Sequence, residues 1–242
     1  HSFESFAEQL ATQLASNIFQ TIELLAEIVR LSEKKYYDSH SQFVGEKSHT
    51  VARQLGCSEG NCFEIKTAGY LHDIGKIGFP DSILSRLPNE LSTEDFRYYA
   101  SHINEGYRIL SMHDELKSIA TIVNQHHERL DGGGFPNHLR ANEITLGAKI
   151  ISVVDYYHNA MFRVNRSRVA STPITNTTTF LESTQAKFVQ TMNYLHQKSG
   201  SYYSVEVVDA FTAIIEAERR LLGEKTIMRL AVNQVKAGML FA

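Results

Sequence analysis

Phe3, Phe6, Leu10, Leu14, Ile18, Ile22, Leu25, Ile28 and Leu31 recur every three or four residues, so the chain opens with a continuous apolar stripe along one helix. A stripe of that length without caps has two readings. It packs against its own domain, or it is a signalling helix that pairs with a second copy and leads to a further domain. Helical spacing returns through most of the sequence. Strand signals are confined to Leu230, Val232 and Val235, with a turn at Gly238. Parallel-strand patterning is absent, and the fold class is all-α.

The rest divides at turn signals. A second helix is expected over Tyr36–Leu55, stopped by Gly56, and a third over Asn61–Asp73. Residues 74–89 read as loop, marked by Gly75, Gly78, Pro80 and Pro88. Ser92 with Asp95 resembles a capping box that starts a helix running to Leu110. Asp114–Glu128 is the next helix. It is followed by Asp131–Pro136, where three successive glycines permit backbone shapes closed to other residues. Gly147–Arg163 returns to helix. Ser171–Thr179 reads as a mobile loop, and Leu181–His196 and Val205–Leu222 close the bundle. The expected domains are a linker or signalling helix over 1–32, a helical domain over 33–222, and an extended segment over 223–242 that could open another domain.

Composition bounds the chemistry. The chain has 242 residues and a net charge of −3, which argues against a broad surface for nucleic acid polymers but not against a phosphate pocket. No apolar run reaches membrane-spanning length and no signal peptide is visible. The first residue is His1, as expected of a piece of a longer chain whose upstream sensor or membrane domain stays open. Cys57 and Cys62 fit no zinc pattern and read as reduced thiols of a cytoplasmic protein.

The eleven histidines invite a metal reading. His72 and Asp73 are adjacent after an apolar run; an imidazole beside a carboxylate can bind a divalent metal, and the second carboxylate oxygen can bridge to another. A lone His-Asp pair is most often a surface or cap feature. Here His40, His102, His126, His127 and Asp155 stand on other helices or at their ends. Asp155 follows the apolar run Ile150–Val154, and a buried carboxylate needs a partner or a cation. Helical bundles build metal sites from side chains projecting inward from facing helices. Seven N/O ligands and no thiolate suit two ions, iron or manganese before nickel, cobalt or zinc.

These residues resemble the HD-GYP family, metal-dependent cyclic di-GMP phosphodiesterases within the HD hydrolases of bacterial signalling. The matching text is His40, then LHDIGKIGFPDSIL over Leu71–Leu84, then His102 with Gly106, then HHERLDGGGFP over His126–Pro136, then Asp155. Gly200 and VVDAF over Val207–Phe211 also fit. The resemblance implies a helical bundle of the HD-domain type and a dinuclear site held by His40, His72, Asp73, His102, His126, His127 and Asp155. A hydroxide bridging the ions would cleave cyclic di-GMP to pGpG, with GMP as the further product. It implies Lys76 at the scissile phosphate, the signature loop at Gly134, Phe135 and Pro136, and Arg163 and Arg166 as a phosphate clamp. A GGDEF-type cyclase and a second copy of the chain are the partners it suggests.

Four positions depart from the family pattern. Tyr36 stands where some members place a glutamate for a third metal, so two ions are expected. Phe43 replaces an arginine, Phe135 replaces the signature tyrosine, and His158 stands where a second aspartate is common. On a helix, His158 shares a face with Asp155 and is expected to orient a ligand rather than be one. These departures keep two alternatives open: a catalytically weak nucleotide-sensing or docking module, and a hydrolase of another nucleotide such as pGpG or cyclic GMP-AMP.

Overall fold

Serine and threonine side chains set where the helices begin. The Gln42 amide donates to Ser39 Oγ (3.4 Å), Asn61 to Ser58 (3.3 Å), Asp95 to Ser92 (3.1 Å) and Ala148 to Thr145 (3.3 Å), each satisfying an orphan N–H of a first turn. The computed structural model describes residues 2–33, 39–163 and 177–221. Its helices are α1 (Ser2–Ser32), α2 (His40–Gln54), α3 (Glu59–Leu71), α4 (Asp81–Leu84), α5 (Thr93–Ala100), α6 (His102–Leu110), α7 (Lys117–Gln125), α8 (Leu146–Phe162), α9 (Thr177–Lys198) and α10 (205–221). Short 3-10 turns lie at Ile74–Lys76, Pro88–Glu90 and Asp114–Leu116. Among the described residues there is no strand, only two isolated bridges, Asp131 with Arg140 and Ser199 with Tyr203.

Helix α2 packs along α3 and α8, α6 lies against α7 and the Ile74–Lys76 turn, and α9 covers α8. Leu71, Val123, Ile150, Ile151, Leu195 and Phe211 are fully enclosed where these helices meet. Helix α1 lays Ile22 and Val29 onto α2 and α3, while Leu24 and Leu31 face outward, each more than 60% exposed. Cys57 and Cys62 are free thiols. Among the described residues, no helix is long and apolar enough to cross a membrane.

Several boundaries differ from the sequence reading. Helix α2 starts at His40, and Tyr36 lies outside the described residues. Helix α3 ends before His72, so His72 and Asp73 sit just past a helix end. The expected helix from Ser92 to Leu110 is two helices broken at Ser101. There the Ser101 hydroxyl donates to the Tyr98 carbonyl (2.7 Å) and the His102 ring takes the Tyr99 carbonyl (2.5 Å), competing with the helical ladder. The stretch 74–89 holds α4 and two 3-10 turns rather than plain loop. Of the expected loop Ser171–Thr179, residues 177–179 belong to α9 and the rest lie outside the described residues, as do Arg166 and the extended segment over 223–242.

Candidate metal centre

Three of the seven predicted ligands close helix C-termini. His72 follows α3, His126 follows α7, and His102 comes two residues after α5. The last four carbonyls of a helix have no partner within it. His72 Nδ1–H donates to the Gly69 carbonyl (2.8 Å), His102 Nδ1–H to Tyr99 (2.5 Å), and His126 Nδ1–H to Val123 (2.7 Å). A carbonyl only accepts, so Nδ1 carries a proton in each ring and Nε2 is the nitrogen turned to the core, a bare lone pair in the neutral His102 and His126 rings. The sequence thus uses one contact twice: it caps the helix and fixes the tautomer a metal ligand needs.

These nitrogens converge with other donors into two clusters. His102, His126 and His127 form one; His40, His72 and Asp73 form the other. Asp73 Oδ1 stands between them, 3.5 Å from His72 Nε2 and 3.7 Å from His102 Nε2. Asp155 Oδ1 reaches His40 Nε2 at 3.1 Å and His72 Nε2 at 3.6 Å, and His40 and His72 bring their Nε2 atoms to 3.2 Å. Neighbouring ligands on an ion with bonds of about 2.1 Å are themselves about 3.0–3.5 Å apart, so these spacings fit cation coordination. Asp73 Oδ1 and the Nε2 atoms of His102, His126 and His127 are buried without a hydrogen-bond partner. Buried polar atoms are rarely left so. A divalent cation in each cluster would complete them.

The surrounding charges agree. Burial opposes charge on His72, but the carboxylates of Asp73 and Asp155 outweigh it and lift the ring to about 9. Burial would raise Asp73, yet Lys76, His72 and His102 hold it well below the usual carboxylate range. Burial and its neighbour His72 push His126 down to about 4, and burial, with Lys76 beside His102 and the imidazoles beside His127, holds both of those rings well below the usual imidazole range. A cation entering the Asp73 cluster therefore displaces the His72 proton.

Close packing brings the clusters together. At Gly75 a Cβ would fall on the His102 carbonyl and near the Gly106 amide, so only glycine lets the Ile74–Lys76 turn lie on α6 beside Asp73. Gly134 is similar: a Cβ there would meet the Glu128 and Arg129 backbone. The signature loop folds back on His127, with the Phe135 amide donating to the His127 carbonyl (3.2 Å) and its ring lying 5.0 Å from the imidazole; the Phe135–Pro136 peptide is cis.

Lys76 Nζ binds Asp73 Oδ2 at 2.7 Å and lies over the Tyr99 ring. Arg163 lines the cleft beside Tyr99, but its guanidinium donates to the Leu84 and Arg86 carbonyls (3.1 and 2.5 Å), tying α8 to α4. Its place in the expected clamp is therefore shared with a structural bond.

Sequence reasoning missed four supporting residues. Glu128, 4% exposed, accepts from the Asn137 and Leu139 amides (2.6 and 3.0 Å) and shapes the glycine loop. Asn159 donates to Asp155 Oδ1 (2.6 Å). Tyr99 forms a wall of the cleft. Glu33, at the end of α1, accepts from the Ser41 amide (2.8 Å) and lines a cavity of about 30 Å³ with Asp73 and Lys76. Burial raises its carboxyl to about 7. Asn159 stands one helical turn past Asp155 and Glu128 lies within the matched His126–Pro136 segment, signals that were available; Glu33 carries none.

A cleft of about 780 Å³ opens from His126, His127 and Asp155. Its walls carry Phe96, Phe135, Tyr156, Tyr194, Tyr202 and Arg129, whose guanidinium sits 3.3 Å over the Tyr202 ring.

Comparison with known proteins agrees with this geometry. The family model described as HD domain matches residues 21–180. The chain is 35% identical over 212 residues to a cyclic di-GMP phosphodiesterase of Thermotoga maritima, covering 86% of this chain and 52% of that protein. It is 32% identical over 126 residues to a 3'3'-cGAMP-specific phosphodiesterase of Vibrio cholerae, covering 52% of this chain and 27% of the relative. The chain thus spans about half, or less, of the length of these relatives. Among solved structures it resembles Bd1817, an HDG"Y"P protein from Bdellovibrio bacteriovorus, with a TM-score of 0.57 at 17% identity over 75% of this chain and 53% of that one. That likeness concerns the fold alone. The bundle, the paired clusters and the matched span agree: this chain belongs to the HD domain family.

Proposed function

We propose that this chain is a metal-dependent phosphodiesterase that hydrolyses cyclic di-GMP to pGpG, and that His40, His72, Asp73, His102, His126, His127 and Asp155 hold two divalent ions. The observation that carries the reading is Asp73 Oδ1, buried, without a hydrogen-bond partner and within 3.7 Å of an imidazole Nε2 from each cluster. Two such ions would bring the pKa of water toward neutrality and neutralise charge on phosphoryl oxygens. The nitrogen and oxygen donor set favours iron or manganese.

The protein's part follows from the geometry. His72, His102 and His126, held by their carbonyl bonds, keep Nε2 turned toward the two clusters. Lys76, held by Asp73, offsets phosphoryl charge and has a proton for the departing ribose oxygen. Phe135 and Phe96 keep water from the far side of His127. Tyr156, Tyr194 and Tyr202 with Arg129 offer planar faces for the bases, and the cleft's volume suits a drug-sized or larger ligand.

The test is turnover by anaerobically purified protein with its metal content measured. Cyclic di-GMP, 3'3'-cGAMP and pGpG are offered with ferrous iron and with manganese. Cyclic di-GMP is expected to be consumed fastest, and His72→Ala to abolish turnover with the fold kept. Tight nucleotide binding without product under every metal would overturn the enzymatic reading. A preference for 3'3'-cGAMP would reassign the substrate to that of the Vibrio relative.

A further inference from the structure

His40 differs from the other oriented histidines. It is the first residue of α2, so it stands at a helix N-terminus, where the orphan groups are N–H donors and not carbonyls. His72, His102 and His126 are each fixed by a carbonyl three residues back. Its Nδ1 instead lies 2.9 Å from Nδ1 of His158, a residue 118 positions away on α8. The opposite nitrogen, Nε2, faces His72 and Asp155.

We propose that His158 is the positioning residue for His40: its Nδ1 lone pair accepts the His40 Nδ1 proton, which leaves His40 Nε2 bare toward the metal cluster. His158 then carries its own proton on Nε2. The ring is 1% exposed and wedged between Phe43 and Phe162, at centroid distances of 4.7 and 4.9 Å, so it has little freedom to turn away. Because the two nitrogens of His40 point in opposite directions, His158 supports the site without entering it. The inference deepens the metal reading and rests on it for its consequence, though not for the tautomer itself.

Two substitutions separate the acceptor from the packing. His158→Phe keeps a ring of similar size and removes the lone pair. His158→Asn places an amide oxygen near the Nδ1 position. Long-range ¹H–¹⁵N spectra of the metal-free protein, with the His40 signal assigned by its loss in His40→Gln, should show the Nδ1–H tautomer in wild type and in His158→Asn, and an averaged or switched tautomer in His158→Phe. Manganese titration should show affinity falling about 10–100-fold in His158→Phe and recovering to within about threefold of wild type in His158→Asn, with thermal midpoints alike. An unchanged His40 tautomer in His158→Phe, or equal manganese affinity in all three proteins, would overturn the assignment. If wild type binds no manganese, the metal reading fails, while the tautomer comparison still decides the pairing.

Discussion

The two clusters are built from similar residues but are satisfied differently. In the His40–His72–Asp73 cluster, the imidazole nitrogens have carboxylate oxygens within 3.1–3.6 Å, so charge is compensated within the protein. In the His102–His126–His127 cluster all three Nε2 atoms are buried and unpaired, and burial with nearby cations keeps the rings neutral. Each unsatisfied buried group costs about 1–3 kcal/mol. Each half holds a buried atom without a partner, Asp73 Oδ1 in the first and three Nε2 atoms in the second, so the deficit is larger in the second. Asp73 joins them, with one oxygen between the clusters and the other on Lys76.

The largest expected effect comes from removing that joint. Asp73→Ala should lower turnover at least about 10³-fold and reduce bound metal at both clusters, measured by elemental analysis beside a rate assay. Retention of both ions would show that the clusters are independent. His127→Ala sharpens the comparison: one of two metal equivalents should be lost, and the Asp73 cluster should keep its own. Loss of both would make the clusters one cooperative unit.

Chelation is the next smaller effect. Removing ions that are present at 100–1,000 times their dissociation constant should lower stability by about 3–4 kcal/mol, read by denaturant melts with and without chelator. His127→Ala protein should show a smaller drop, because the cluster with the unpaired nitrogens no longer responds. An unchanged melt on chelation would mean that neither cluster leans on a cation.

The smallest effect belongs to Glu33, at the junction of α1 and the site. Burial raises its carboxyl from 4.5 to about 7 in the folded chain. The folded state therefore favours the protonated form, and the associated stability is present below pH 4.5 and is lost as pH rises through 7. Glu33→Gln keeps an acceptor for the Ser41 amide and removes the ionisation. The metal-free variant should match wild type near pH 4.5 and exceed it by about 1–3 kcal/mol at pH 8. A constant difference across that range would place the effect elsewhere.

Much of this was legible in the residues. The apolar periodicity marked the helices, and the His72–Asp73 and His126–Pro136 segments marked where the chemistry lies, because both depend on neighbours along the chain. Helix ends were read less well. Ser101 breaks a continuous periodic stretch through side-chain bonds to carbonyls, which periodicity does not register. Glu33 looked like an ordinary acidic residue, and Glu128, though inside the matched segment, showed no role, since what distinguishes them is the backbone amides they meet 8–11 positions away.

The order of candidate ligand types along the chain, and hence the hydrolase class they suggest, was legible in the sequence alone: donor chemistry and helical period are local properties. Only the tertiary structure decided which histidines share a cluster, which oxygen of Asp73 faces both, and which ring stands behind His40. Those depend on helices meeting at fixed depths, as where Gly75 lets a turn rest on α6, and close packing across long sequence separations leaves no mark in the spacing of residues.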